Sequence, residues 1–416
     1  MNRKERRRQR KQDKRTDRQP DPDRQLANAA RLCQSGHPEQ ALDCCRQVLA
    51  VRPSDIKALT LAAMSHFKLH DRAQGLTCLR KVTDLAPDDP QAHYNLGTAL
   101  AQDGLIDEAI GCQNRAIALK PDYPESHYNL ANALRQLGSI ELAVAGYQRA
   151  LALAPQLPGV ATNLASALLE QGSAAAAMAA CEHALRFAPG DRDALAFGAV
   201  AATETGDPER AARILGLEHL VQSRDFAAPD GYDDLKQFNH DLANHVMNHP
   251  TLTREPHNTA TRGGQQTGNL AVEPKGPIRQ LEQMVVSAFD RYLPDIKKRE
   301  GHPYPPLIPV LRKIDVWGTV LESQGHQAAH MHRAAWISGV YYVQLPDIMS
   351  ESNEDKSGWI EFGRPPDQFR CTANHMVRLL QPVEGRMFLF PSFVYHRTLP
   401  FESTERRISI AFDLLA

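Results

Sequence analysis

No stretch of the 416 residues holds the uninterrupted apolar run of roughly 18 to 20 residues that a helix needs to cross a bilayer, so no membrane span is expected. An excess of charge is missing too. Lys and Arg total 48 against 49 Asp and Glu, a net charge of −1, which leaves no whole-molecule field to gather nucleic acid or an anionic surface. The seven cysteines include no Cys-x-x-Cys pair, which removes the commonest zinc and dithiol arrangements; a reduced, cytoplasmic protein is the simplest expectation. One segment breaks the charge balance. "MNRKERRRQRKQDKRTDR" carries ten basic and three acidic residues with no apolar segment behind it. It therefore lacks the form of a secretory signal and reads as a solvated, disordered arm over residues 1–21. A chain of this length exceeds one ordinary core, and two or three domains are expected.

What is present in the first half is a period. Pro53, Pro87, Pro121, Pro155 and Pro189 are 34 residues apart, and Gly36, Gly104, Gly138, Gly172 and Gly206 keep the same spacing, with His70 in the one slot lacking glycine. Ala41, Ala109, Ala143, Ala177 and Ala211 follow the glycine slots by five, and Cys44, Cys78 and Cys112 share one further position. Glycine suits a turn at positive φ, a small alanine lets paired helices approach, and proline ends a helix by lacking an amide donor. The segment "HYNLGTALAQDGLIDEAIGCQNRAIALKPD" resembles the tetratricopeptide repeat, an all-α helical-hairpin solenoid. The resemblance implies roughly five and a half stacked units over residues 22–220. Asn95, Asn129 and Asn163 also recur at this period. They resemble the asparagine ladder in the repeats of O-linked N-acetylglucosamine transferases, which implies a groove for an extended protein or peptide partner. The alternative is that asparagine is simply common at this slot.

Beyond residue 220 the period stops. "FNHDLANHVMNHPTL" and "PIRQLEQMVVSAFDRYLPDI" read as helices, the first with His240, His245 and His249 on a polar surface. Short apolar runs rich in Val, Ile, Tyr, Phe and Trp then predict strands near 310–321, 335–345, 358–362, 376–381, 386–391 and 406–414, a pattern of the jelly-roll kind. Just before the strand "WISGVYYVQLP" stand His330 and His332, two residues apart and so able to face one point. His396 follows "MFLFP", and Arg407 and Ser409 come eleven and thirteen residues later.

The tail His396-x10-Arg407-x-Ser409 resembles that of the Fe(II)- and 2-oxoglutarate-dependent oxygenases, which carry His-x-Asp, a distal His and Arg-x-Ser on a double-stranded β-helix. It is similar above all to a group of bacterial oxygenase-like domains with "HxH…SGVYY", "FPS…H" and "RISIAF". The resemblance covers roughly residues 225–416 and implies a double-stranded β-helix (jelly-roll) domain with flanking helices over residues 221–416. By residue match it implies His330, His332 and His396 as Fe(II) ligands, and Arg407, Ser409 and Tyr342 as contacts to the 2-oxoglutarate cosubstrate. Imidazole suits ferrous iron, and a planar guanidinium suits a carboxylate. His332 departs from the family aspartate, leaving the ligand set one negative charge short. His326 falls to a surface role, Arg406 to solvent, and Trp317 and Trp336 to the core before a substrate wall. A structural alternative for Arg407 is a salt bridge with Glu405. The implied activity is a hydroxylase acting on a protein or peptide delivered by the repeats. Two alternatives stay open: a cupin-like metal enzyme needing no 2-oxoglutarate, and a non-catalytic repeat adaptor with a degenerate oxygenase fold.

Overall fold

The computed structural model describes residues 21–256, 259–297, 302, 313–349 and 354–415. The basic arm, but for its last residue, and the opening of the strand expected near 310–321 lie outside the described residues. The chain divides into two compact units, Met1–Val160 and Ala161–Ala416.

The first unit is a series of helical hairpins. Helices α1 (Pro22–Gln34) and α2 (Pro38–Val51) form the first hairpin. The pairs α3 (Ile56–Lys68) with α4 (Arg72–Leu85), α5 (Pro90–Gln102) with α6 (Ile106–Leu119), and α7 (Pro124–Gln136) with α8 (Ile140–Leu153) form the next three. Each helix begins 34 residues after its counterpart, so the period in the sequence is the period of the hairpin. Asp55, Asp71 and Asp89 accept hydrogen bonds from the first free amides of α3, α4 and α5, at 3.0, 3.3 and 3.0 Å. Ala41, Ala109 and Ala143 are fully buried where paired helices touch. The turn slot takes positive φ at Gly36, Gly104 and Gly138 (77 to 79°), and His70 adopts the same conformation at 61°. No atom lies within 4 Å of where a Cβ would stand on those three glycines. Space thus admits the histidine, and only backbone strain opposes it.

The second unit opens with helices that continue the repeat. These are α9 (Val160–Gln171, its first residue closing the first unit), α10 (Ala174–Phe187), α11 (Arg192–Glu204) and the shorter α12 (Pro208–Leu215). Helices α10 and α12 keep the 34-residue spacing, while α9 starts 36 residues after α7 and α11 starts 32 after α9. After the single turn α13 (Leu217–Leu220) come two antiparallel sheets. The larger runs in the order β1 (Gln222–Asp225), β8 (Arg386–Pro391), β5 (Ile337–Gln344), β10 (Arg407–Leu415), β4 (Lys313–Gln327), β3 (Thr261–Gln266), β2 (Thr253–Arg254). The smaller runs β7 (Arg378–Leu380), β6 (Ile360–Phe362), β9 (His396–Thr398). Both sheets line one cavity, the arrangement of a jelly roll. Strands β1, β2, β3 and β9 were not legible as strands. The segments "QSRD", "TR" and "TRGGQQ" lack apolar alternation, and β9 has only three residues.

Strand β10 sorts its residues by parity. Ile408, Ile410, Phe412 and Leu414 are buried on the outer face, under helices α14 (Leu235–Met247) and α15 (Ile278–Lys297). Phe238, Leu242 and Val246 of α14 are fully buried. The helix sits so close that a Cβ on Gly318 of β4 would stand 2.6 Å from Val246. Trp336 is buried edge-on against Phe289 of α15, with ring centroids 5.9 Å apart. The loop after β6 clasps α11. The Glu204 carboxylate accepts from the Thr372 and Ala373 amides (2.8 and 3.2 Å) and from His375 Nε2 (2.7 Å), while Phe197 meets Phe369 edge-on at 5.9 Å. Burial opposes the Glu204 charge, but these donors outweigh it and hold the carboxyl below its usual range.

Candidate metal centre and its anion pocket

His330 and His332 lie on the extended segment between β4 and β5. His330 exchanges two backbone hydrogen bonds with His396, each 3.0 Å, and the His332 amide bonds the Ser392 carbonyl at 3.0 Å. This pairing folds the two distant parts of the sequence onto one another. The ring nitrogens of His330, His332 and His396 lie within 4.8 Å of one another, with ring centroids 4.2 to 5.2 Å apart.

The tautomers follow from the partners. His330 Nδ1 lies 2.8 Å from the Ala328 carbonyl, His396 Nδ1 3.1 Å from the Val394 carbonyl, and His332 Nδ1 2.6 Å from the Asp413 carboxylate. Oxygens of these kinds only accept, so each Nδ1 carries the hydrogen and each Nε2 keeps its lone pair. That is the donor set a divalent metal requires, oriented by outer hydrogen bonds. Burial, followed by the neighbouring His332, pushes the His330 imidazole down to about 3. Burial, then His330 and His332, hold His396 well below its ordinary value. Neutral imidazoles are the ligating form.

The other end of the cavity holds a buried guanidinium. Arg407 is 1% exposed, yet among the described residues its Nε has no hydrogen-bond partner. Its Nη2 donates to the Tyr342 hydroxyl at 3.3 Å, and the guanidinium stands 5.2 Å from the Tyr342 ring centre. Glu405 does not serve it; that carboxylate accepts from the Asp347 amide at 2.9 Å. Arg406 is exposed, as parity requires. Ser409 pairs in register with Tyr342 on one side and Thr319 on the other, and all of these residues line the cavity. Thr319 Oγ1 is a second buried atom without a partner. The two tyrosines of "GVYYV" go opposite ways: Tyr342 faces the cavity, whereas the Tyr341 hydroxyl donates to Asn239 of α14 at 2.8 Å.

Trp317 is half-buried with its ring 5.5 Å from that of His332, so it walls the cavity, while Trp336 belongs to the core. His326 ends β4 away from the histidine cluster, with Nδ1 3.2 Å from the Gln324 carbonyl. Of the three helix histidines expected at the surface, His240 is exposed. His245 and His249 are half-buried against each other, with centroids 5.7 Å apart, because α14 packs close to the turn at Gly276. In the repeats, the Asn95 side chain accepts from Gln91 at 2.8 Å and Asn129 donates to Thr98 at 2.9 Å; Asn163 is half-buried on α9. A second group of ligating type, Glu204, Cys371 and His375, closes on itself through the clasp on α11. Burial, then Glu204, raise the Cys371 thiol to about 12.

Two residues at the centre escaped the sequence. Asp413 supports His332, and Thr319 faces Ser409. The signal for Asp413 was parity, since it lies four residues past Ser409 on the same strand face.

Comparison with known proteins places these features in families. Residues 315–413 match the family model described as "Putative 2OG-Fe(II) oxygenase". Residues 60–124, 124–157 and 159–191 match models each described as "Tetratricopeptide repeat". The chain thus carries tetratricopeptide repeats followed by a segment similar to the putative 2OG-Fe(II) oxygenase family. No curated protein matches it. Among solved structures, "MamA 41-end from Desulfovibrio magneticus RS-1" is similar at 21% identity, covering 41% of this chain and 94% of that one, with a TM-score of 0.37. The structure titled "Functional Characterization of Pseudomonas Aeruginosa pilF" is similar at 21% identity, covering 47% and 89%, with a TM-score of 0.43. YrrB, titled "a TPR protein with an unusual peptide-binding site", is similar at 19% identity, covering 41% and 89%, with a TM-score of 0.38.

Proposed function

We propose that the protein is an Fe(II)- and 2-oxoglutarate-dependent dioxygenase that hydroxylates a protein or peptide captured by its repeats. One observation supports this: the cavity that gathers three imidazoles also holds a buried guanidinium, and among the described residues that line it there is no carboxylate. An uncompensated buried charge is costly, and an arriving carboxylate would relieve it. A metal enzyme without 2-oxoglutarate has no use for Arg407, and a degenerate adaptor has no reason to keep it charged and buried.

In this reading His330, His332 and His396 hold the iron, and Arg407, Ser409, Tyr342 and Thr319 hold the distal carboxylate. Iron with 2-oxoglutarate supplies the oxidising chemistry, in which O₂ and the keto acid yield succinate, CO₂ and one oxygen atom for the substrate. The chain's own residues do the rest. Arg407 would pair with the carboxylate, the Tyr342 ring would keep water from that pair, and Trp317 walls the cavity beside His332. The free volume is only about 20 Å³, room for a water, so a five-carbon diacid requires the lining side chains to part.

Substrate capture is assigned to the repeats, with Asn95, Asn129 and Asn163 as candidate contacts, since each amide can meet a peptide backbone in either sense. Changing all three to alanine should leave helicity intact and weaken peptide capture. Among the described residues no helix is long and apolar enough to cross a membrane. All seven cysteines are free thiols, which suits the reducing cytoplasm. The deciding experiment is anaerobic Fe(II) titration with and without 2-oxoglutarate. A weak visible band that needs both components supports the proposal. Metal binding without that band supports the cupin-like alternative, and absence of metal binding the adaptor.

A further inference from the structure

His332 stands where the resembled family has aspartate, so three neutral imidazoles leave the proposed site one negative charge short. The three are not supported alike. His330 and His396 rest on main-chain carbonyls, whereas His332 alone rests on a carboxylate, Asp413 Oδ1 at 2.6 Å. That carboxylate is itself held in place. Ser338 Oγ donates to the same oxygen at 2.6 Å, from the cavity face of β5. The side chains of His332 and Asp413 are only 11% and 14% exposed, so water screens their interaction little.

The nearby charges single out Asp413. Asp315 stands opposite it in the β10–β4 register but is bound by Lys313 at 2.7 Å and by Asn269 at 2.7 Å. Among the described residues no lysine or arginine forms an ion pair with Asp413, and its Oδ1 accepts from His332 and Ser338. A carboxylate accepting from Nδ1 increases electron density at Nε2, fixes the ring and makes it a stronger donor to a metal.

We infer that Asp413 is a positioning residue that returns to the metal, through His332, the negative charge lost with the ligand aspartate. The site is then a histidine-plus-carboxylate pair in the place of one ligand, with the charge one ring further out. This rests on the metal-binding reading above. It also alters what His332→Asp should do. A carboxylate at 332 would face Asp413 across the space left by the ring, two like charges in a half-buried place.

The test measures Fe(II) or Co(II) affinity of the full-length protein anaerobically, by competition with a chelator and without 2-oxoglutarate. Asp413→Asn keeps an oxygen to accept from His332 and Ser338, and removes only the charge. Its affinity should fall roughly 10- to 100-fold, while the metal-free protein unfolds at nearly the wild-type temperature. His332→Asp combined with Asp413→Asn should bind metal several-fold more tightly than His332→Asp alone, a rescue that a merely structural aspartate would not produce. Asp413→Asn with wild-type affinity, or a double variant no better than His332→Asp, would overturn the inference while leaving the metal site standing. Wild-type protein that binds neither ion would overturn the proposed function, and this inference with it.

Discussion

Arg407→Met separates a cosubstrate arginine from a core arginine by a reversal of stability. Arg407 is 1% exposed, and among the described residues its compensation is one long hydrogen bond to Tyr342 (3.3 Å) and that residue's ring 5.2 Å away. Burying an ion costs several kcal/mol even after relaxation, against about 2 kcal/mol from a desolvated cation–π contact and about 1 kcal/mol from a weak hydrogen bond. The metal- and ligand-free protein therefore carries a net penalty of about 1 kcal/mol or more at this position. Methionine fills most of the volume without the charge, so the free variant should unfold about 2 to 4 °C higher. With 2-oxoglutarate and Fe(II) present the order should invert. Loss of one partner of a buried charge pair costs about 2 to 5 kcal/mol, or about 30-fold and more in affinity. Ligand at a hundred times the wild-type Kd adds about 2.7 kcal/mol to wild type and only about 0.9 kcal/mol to a variant weakened 30-fold. The assay is built in, because all three tryptophans (Trp317, Trp336 and Trp359) lie in the second unit, and intrinsic fluorescence follows its unfolding alone. A free variant that melts well below wild type, with equal shifts from 2-oxoglutarate, would show that Arg407 is structural and refute the argument.

Three further outcomes are expected. His70→Gly, at the one non-glycine turn slot (φ 61°), should stabilise the first unit by about 1 kcal/mol in denaturant unfolding; unchanged stability would mean the turn bears no strain. Glu204→Ala leaves the Thr372 and Ala373 amides and His375 without their acceptor, and should lower the stability of the second unit by about 2 kcal/mol or more by tryptophan fluorescence. In the metal-free protein the folded pKa of His330 is depressed to about 3, so the unfolded chain binds the proton first as pH falls. Stability should be unaffected by this group above about pH 6.5 and should drop by up to about 1.4 kcal/mol per pH unit between there and about 3. A flat profile over that window in unfolding experiments would contradict the burial assigned to His330.

The sequence alone determined what depends on spacing along the chain. The 34-residue period fixes where each helix starts, because every hairpin meets neighbours like itself and needs no distant partner. Parity likewise put Arg407 and Ser409 on one face of β10, and the two-residue step set His330 beside His332. Tertiary structure decided whatever depends on register between segments far apart. The β10–β5 register sent Tyr342 to Arg407 and Tyr341 to Asn239, and the same sheet brought Asp413 to His332 across 81 residues. Strands β1 to β3 and β9 exist because neighbouring strands offer them unpaired backbone groups, not because their own residues favour extension. The clasp of Glu204 on Thr372, Ala373 and His375 is of the same kind: nothing local to α11 or to the loop predicts it, because the carboxylate and its donors, some 170 residues apart, meet only once both elements are packed.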